Sequence, residues 1–184
     1  MRKRLMIAAF STLVFCFCAG LASAQVPTAG NVFLGYTYYS TTLAPDRGAL
    51  NGLQGTLEGK VLPMVGIVAD ITGQFGQLDL GAVCSIGGCV STTISTHVYE
   101  AMFGPRIGVP IGKFRPFAEF EVGVAHVSAS SLSDTNLATA IGGGMDYKIL
   151  RVLAWRIQGD YVHTHFFGAG QSNERISTGI VLRF

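Results

Sequence analysis

The sequence predicts an all-β fold, an eight-stranded antiparallel up-and-down transmembrane β-barrel. Three observations predict it. The chain opens with an export segment, Arg2-Lys3-Arg4 followed by an apolar run from Leu5 to Leu21 and the small-residue site Ala22-Ser23-Ala24. Charged residues are only 13% of the chain, against roughly 25% in soluble domains, yet no later stretch has the ~18 consecutive apolar residues of a spanning helix. The rest reads as strands separated by turn signals, with Gly frequent, Pro rare and no helical stripe. An apolar exported chain with no spanning helix beyond its leader has one other way across lipid, a sheet closed on itself so that no edge is left unpaired.

Residues 1–24 are expected to be a signal peptide, cleaved between Ala24 and Gln25, and residues 25–184 one barrel domain. Cys16 and Cys18 follow Phe15 and Phe17 rather than small residues, which argues against a lipidated cysteine. The formal net charge of +2 owes its sign to Arg2, Lys3 and Arg4; without them the 11 Asp+Glu slightly outnumber the Lys+Arg. Nothing here suggests nucleic acid as a partner.

Strands are expected near 31–40, 50–61, 64–76, 96–109, 115–127, 136–148, 152–163 and 174–184. Each has one apolar and one polar side, because successive side chains point to opposite faces. In the second, Leu53, Leu57 and Val61 oppose Gln54, Thr56, Glu58 and Lys60. In the fifth, Ala118, Phe120, Val122 and Val124 oppose Phe117, Glu119, Glu121 and Gly123. In the seventh, Leu153, Trp155, Ile157 and Tyr161 oppose Arg156, Gln158 and Asp160. In the last, Ile176, Thr178, Ile180, Leu182 and Phe184 oppose Arg175, Ser177, Gly179, Val181 and Arg183. The connections alternate, with long loops at 41–49, 77–95, 128–135 and 164–173 and short turns at Leu62-Pro63, 110–114 and 149–151. Bacterial outer-membrane barrels have that asymmetry, long outside and short in the periplasm.

A soluble barrel or sandwich alternates too, with its apolar side inward. The polar faces here mix Gly, Ala and Val with few charges, which suits a filled interior better than a water-facing surface. The apolar faces carry Tyr36, Tyr38, Tyr99, Trp155 and Tyr161, candidates for an interfacial aromatic girdle. The chain also ends in a strand closed by Phe184.

These features carry a resemblance. Gly179-Ile180-Val181-Leu182-Arg183-Phe184 is similar to the C-terminal signal of outer-membrane proteins, with Phe184 as the residue read by the barrel-assembly machinery. Phe103-Gly104-Pro105-Arg106, Arg115-Pro116-Phe117-Ala118 and Gly142-Gly143-Gly144-Met145-Asp146 resemble motifs of the small outer-membrane β-barrel family, which includes the OmpA-like membrane domain. The resemblance covers nearly the whole segment after residue 24 and implies the bacterial outer membrane, with outer-membrane lipid and the assembly machinery as partners. Its members are structural proteins, adhesins, narrow pores or, rarely, lipid-modifying enzymes, so the fold leaves the activity open.

A polar lumen network is expected from Glu58, Lys60, Asp70, Glu100, Arg106, Glu119, Glu121, Arg156, Asp160 and Arg183. The interior of an eight-stranded barrel is just wide enough for side chains to fill, and charges there must pair and hydrogen-bond. A packed plug is the leading reading and a gated narrow conductance the lesser one. Cys84 and Cys89 flank Ser85-Ile86-Gly87-Gly88 in the longest loop, and an oxidising compartment favours a disulfide between them. The Gly142–Gly144 run lacks a Lys-Ser/Thr ending and reads as a barrel bend rather than a phosphate loop.

His163, Thr164, His165 and Glu174 form the last cluster. Some outer-membrane barrels are lipid A deacylases with a His, a Ser two positions later and a downstream Glu. His165 stands where that Ser would be, leaving Ser172 or Thr164 as a nucleophile at the wrong spacing. A His163/His165 metal pair is a lesser reading, and no catalytic residue, metal or cofactor is assigned. The expected role is non-enzymatic, structural or surface interaction through the outer loops with a ligand the sequence does not name. A narrow pore for small solutes is the first alternative and a lipid A-modifying enzyme the second.

Overall fold

The protein is described by a computed structural model covering residues 29–41, 48–85, 88–129, 132–166 and 168–184, without the side chains of 78–92. The expected signal peptide, residues 1–24, lies outside the described residues. Eight strands follow one another: β1 (Gly30–Thr41), β2 (Gly48–Lys60), β3 (Val65–Ser85), β4 (Gly88–Gly108), β5 (Phe114–Ala129), β6 (Leu132–Lys148), β7 (Leu153–Phe166) and β8 (Ala169–Arg183). Every neighbour pair is antiparallel, and β8 returns to β1 from Asn31↔Arg183 to Ser40↔Glu174, closing the barrel. At that seam Gly30 and Phe184 exchange backbone hydrogen bonds of 3.0 and 3.1 Å.

The strands stop at one end in tight turns. Ile111 and Phe114 bridge a turn in which Gly112 takes φ 62°, a value that disfavours a Cβ. Val61 and Ile149 donate to the carbonyls of Val65 and Leu153 at 3.0 Å in the two other turns. We call this the inner end, and it carries both ends of the barrel.

At the opposite end the expected long loops are corrected. The stretch 77–95 is a continuation of β3 and β4, 21 residues each, paired from Gln77↔Ser95 to Ser85↔Gly88 with a register shift between Asp79 and Ala82. The 128–135 and 164–173 stretches are likewise mostly strand, paired out to Ala129↔Leu132 and Phe166↔Ala169. The polar composition there marks contact with water, not loss of strand. Val83, Val90, Thr92, Thr93 and Ile94 keep β propensity, and a ladder satisfies backbone groups in water as well as in lipid. Only the 41–49 connection keeps much of its expected length, with β1 ending at Thr41 and β2 starting at Gly48.

The side-chain phase puts the apolar faces outside. Leu53 is 70% exposed, Ile71 69% and Leu137 77%, whereas Arg106, Arg156 and Arg175 are fully buried. Such a belt far exceeds the apolar patches of a soluble monomer, and it fits a barrel whose outer wall meets hydrocarbon. Tyr36, Tyr38, Tyr99, Trp155 and Tyr161 all lie on this wall. Trp155 Nε1 donates to Thr178 Oγ1 at 2.9 Å, and Tyr36 OH donates to Asn51 Oδ1. Among the described residues no helix is long and apolar enough to cross a membrane.

Close backbone approach inside the barrel explains the glycine motifs. A Cβ on Gly104 would stand 1.9 Å from the Phe120 carbonyl oxygen. The β4–β5 ladder skips Gly104 and Pro105 between Phe103↔Val122 and Arg106↔Glu119. Gly144, in the Gly142–Gly144 run, is nearly as tight, its Cβ position 2.2 Å from the Ile157 carbonyl oxygen.

Candidate functional site in the lumen and at the outer rim

The lumen is filled in three layers. The inner layer rests on arginines from β4, β5 and β7. Glu58 accepts from Asn31 Nδ2 at 2.9 Å, Arg115 Nη1 at 3.1 Å and Arg106 Nη1 at 3.2 Å. Arg106 Nε donates to Glu119 at 2.6 Å, and Arg156 holds Asp146 with two bonds of 2.6 and 3.1 Å. The Phe117 ring packs against two guanidinium groups, with Arg106 and Arg156 Cζ 4.5 and 4.6 Å from its centroid. Two-pronged bonding plus a ring face is what a planar guanidinium can use and an ammonium cannot.

The middle layer reverses the balance. One cation, Arg175, serves four carboxylates: Nε donates to Asp160 at 2.9 Å, Nη1 to Glu100 at 3.1 Å and Asp70 at 3.3 Å, and Nη2 lies 3.8 Å from Glu121. Asp70 also accepts from Gln54, from Thr56 at 2.9 Å and from Thr72 at 2.8 Å. Gln158 Nε2 donates to Glu119 at 2.6 Å and to Asp160 at 2.9 Å, tying the layers together. Glu121 accepts no hydrogen bond from a described residue.

The outer layer is uncharged, an apolar cluster interleaved with buried polar side chains, Thr41, Gln74, Thr96, Thr164, Gln171 and Asn173. Tyr39, Leu50, Val98, Val127, Val162 and Phe166 belong to one buried cluster near the outer strand ends. Thr41 donates to Asn173 at 2.7 Å and Asn173 donates to Thr164 at 3.1 Å across its margin. An ion entering from outside would have to leave its water here, at high cost.

Eight of the ten expected lumen residues are buried: Glu58, Asp70, Glu100, Arg106, Glu119, Glu121, Arg156 and Asp160. Arg183 and Lys60 stand at the inner mouth, Arg183 3.6 Å from Asp146 and Lys60 half-buried. Three organising charges were missed, Arg115, Asp146 and Arg175. Arg175 already shares the polar side of the last strand with Ser177, which was the available signal. Arg115 and Asp146 are register partners, a pairing visible only once β5 and β6 are aligned.

The outer-rim cluster does not converge as a set. Alternation turns Thr164 into the lumen, fully buried, while His163, His165 and Glu174 face outward. Thr164 therefore cannot serve as a nucleophile beside His163. Ser172 is the register partner of His163. Cys84 and Cys89 are register partners in the β3–β4 hairpin; their side chains lie outside the described residues. Among the described residues no group of three or more His, Cys, Asp or Glu is placed to hold a metal.

The chain is similar in structure to Neisserial surface protein A (NspA), with a TM-score of 0.67 at 8% identity, over 85% of this chain and 99% of that one. The fold is that of the small outer-membrane β-barrels. A second small outer-membrane barrel, the attachment invasion locus protein Ail of Yersinia pestis, matches with a TM-score of 0.54 at 13% identity, over 85% of this chain and 98% of that one. No protein-family profile and no curated protein matches the sequence. At these identities the likeness is one of fold, and what this barrel does has to come from its own side chains.

Proposed function

We propose that the protein is a non-enzymatic outer-membrane barrel that contacts a partner outside the cell through its outer hairpins. The observation that carries this is the contrast between the two ends. The lumen is packed with ion pairs below and an uncharged, closely packed layer above, while β3 and β4 run on past the apolar belt. Among the described side chains the outward apolar series on β3 ends at Phe75, with the exposed Gln77 next. At ~3.3 Å per residue, the stretch from Gln77 to Ser85 adds roughly 25–30 Å of strand beyond it. Building and exporting a paired arm of that length serves contact rather than conduction. A disulfide between Cys84 and Cys89, which the register sets opposite each other, would fasten its tip. Outer-membrane lipid surrounds the belt, and the strand ending in Phe184 presents the signal for assembly.

The test removes residues 79–92 behind a short turn and compares adhesion of expressing cells to immobilised host-cell and matrix surfaces. Loss of adhesion with an intact, heat-modifiable barrel supports the proposal. Unchanged adhesion, or a steady single-channel current from the full protein in a planar bilayer, overturns it. Altered lipid A mass on expression would replace it with the lipid-modifying reading, for which Ser172 opposite His163 is the feature to mutate.

A further inference from the structure

The outward series on β7 runs Trp155, Ile157, Gly159, Tyr161, His163, His165. It is apolar up to the tyrosine and becomes imidazole where the belt gives way to headgroups and water. His163 and His165 are two residues apart on one face, both exposed, with ring centroids 6.4 Å apart. Both lean over the same spot on the neighbouring strand. A Cβ on Gly170 would lie 3.6 Å from His163 Nε2 and 3.5 Å from His165 Nδ1. Because residue 170 is glycine, that spot is open, and a ring nitrogen of each histidine lies within 3.6 Å of it.

We propose that His163 and His165 form a two-imidazole clip for a divalent transition-metal ion of the copper or zinc type at the outer rim. Neutral imidazole is a favoured ligand for these ions. With metal–nitrogen bonds of about 2.0–2.1 Å, the ion sits about 3.2 Å from each ring centre, so the centres close to about 5 Å in a bent arrangement. The present separation exceeds that by little more than an ångström, a movement that side-chain rotation on an exposed strand supplies. Two protein ligands leave the remaining positions to water or to a phosphate oxygen of a neighbouring lipid. The clip is open on that side, so exchange is fast and binding is reversible. Calcium and magnesium, which demand oxygen ligands, do not compete. The other two histidines, His97 and His126, stand on β4 and β5 and make different contacts. His97 packs edge-on to Phe75 with centroids 5.4 Å apart, and His126 Nδ1 pairs with Thr135 Oγ1 at 2.6 Å.

The experiment titrates Cu²⁺ and Zn²⁺ into the untagged, folded protein in detergent micelles, by calorimetry and, for Cu²⁺, by electron paramagnetic resonance. One equivalent with a two-nitrogen signature is expected. His163→Ala and His165→Ala should each weaken binding at least ten-fold, and the His97→Ala/His126→Ala double variant should bind as the parent does. Gly170→Val keeps both imidazoles but fills the spot between them, and should weaken binding as well. Heat-modifiable migration on a gel shows that each variant has folded. Equal binding by the His163→Ala/His165→Ala double variant would overturn the proposal. So would equal loss on removing His97 and His126, or full binding in Gly170→Val.

Discussion

The same chemical change at two buried glutamates should have very different effects, and the comparison tests the layered lumen. Glu58 accepts from Asn31, Arg106 and Arg115, each from a different strand. Glu58→Gln turns one carboxylate oxygen into an N–H₂ group aimed at guanidinium donors and removes the charge they neutralise. Hydrogen bonds to charged groups contribute about 1.5–3 kcal/mol each, and breaking a buried ion pair from one side costs about 3–5 kcal/mol. Since two such bonds are compromised, Glu58→Gln should lose about 3–5 kcal/mol. Glu121 has no hydrogen bond to lose and stands 3.8 Å from an arginine shared with three other carboxylates. Glu121→Gln removes one of four negative charges around one positive charge, so its effect should lie within about 1 kcal/mol of zero or be stabilising. A gap of ~2.8 kcal/mol is about a hundred-fold in the folding equilibrium. The assay is reversible urea unfolding from lipid vesicles, followed by the fluorescence of Trp155. It is the chain's one tryptophan and lies on the lipid-facing wall, so its emission reports insertion directly. Equal destabilisation by the two variants would refute the reasoning, because it would mean that the carboxylates are held alike.

Three further outcomes follow from the same geometry. Arg175→Met leaves Asp70, Glu100, Glu121 and Asp160 without their shared cation; it should cost at least the ~3–5 kcal/mol of a broken buried pair, whereas Arg183→Met, at the half-open inner mouth, should cost under ~1 kcal/mol in the same unfolding assay. Gly104→Ala puts a Cβ 1.9 Å from the Phe120 carbonyl oxygen and should abolish the heat-modifiable folded band, while Gly159→Ala, whose Cβ meets nothing within 4 Å, should leave it in place. Intact mass of the exported protein should be 2 Da below the reduced form if Cys84 and Cys89 are joined (a two-hydrogen loss), and a Cys84→Ser variant should become more sensitive to protease at the hairpin tip.

The barrel was legible because lipid imposes one strict rule on every strand. Ile176, Ile180 and Leu182 on one side of β8 and Arg175, Ser177 and Arg183 on the other could be sorted by period alone, and the structure has the same two faces. The hairpin arms were not legible. Past Gln77 the sequence turns rich in Gly, Ser and Thr and reads as loop although the backbone continues to pair. Lumen partners were half legible. The phase says that Arg106 and Glu119 point inward, but the register brings them together, and register is fixed by turns and bulges that one strand does not display. Arg175 illustrates the limit best, since it meets Asp70, Glu100, Glu121 and Asp160 from four different strands, and no local pattern on β8 announces such a hub.

The order of the layers bears on conduction. Arginines at the inner end would favour anions and carboxylates in the middle would favour cations, so a permeant ion of either sign meets one repelling layer. The packed outer layer around Tyr39, Leu50, Val98 and Phe166 carries no charge and offers neither sign a counter-ion. Swapping ion-pair partners in the lower layers opens no path while that layer stays closed, and it contains no charge whose partner could be exchanged. A gate built on pair swapping therefore needs a second movement, of uncharged side chains, on the outer side. That movement would have to disrupt the buried cluster of Tyr39, Leu50, Val98 and Phe166, so the packing favours a closed barrel.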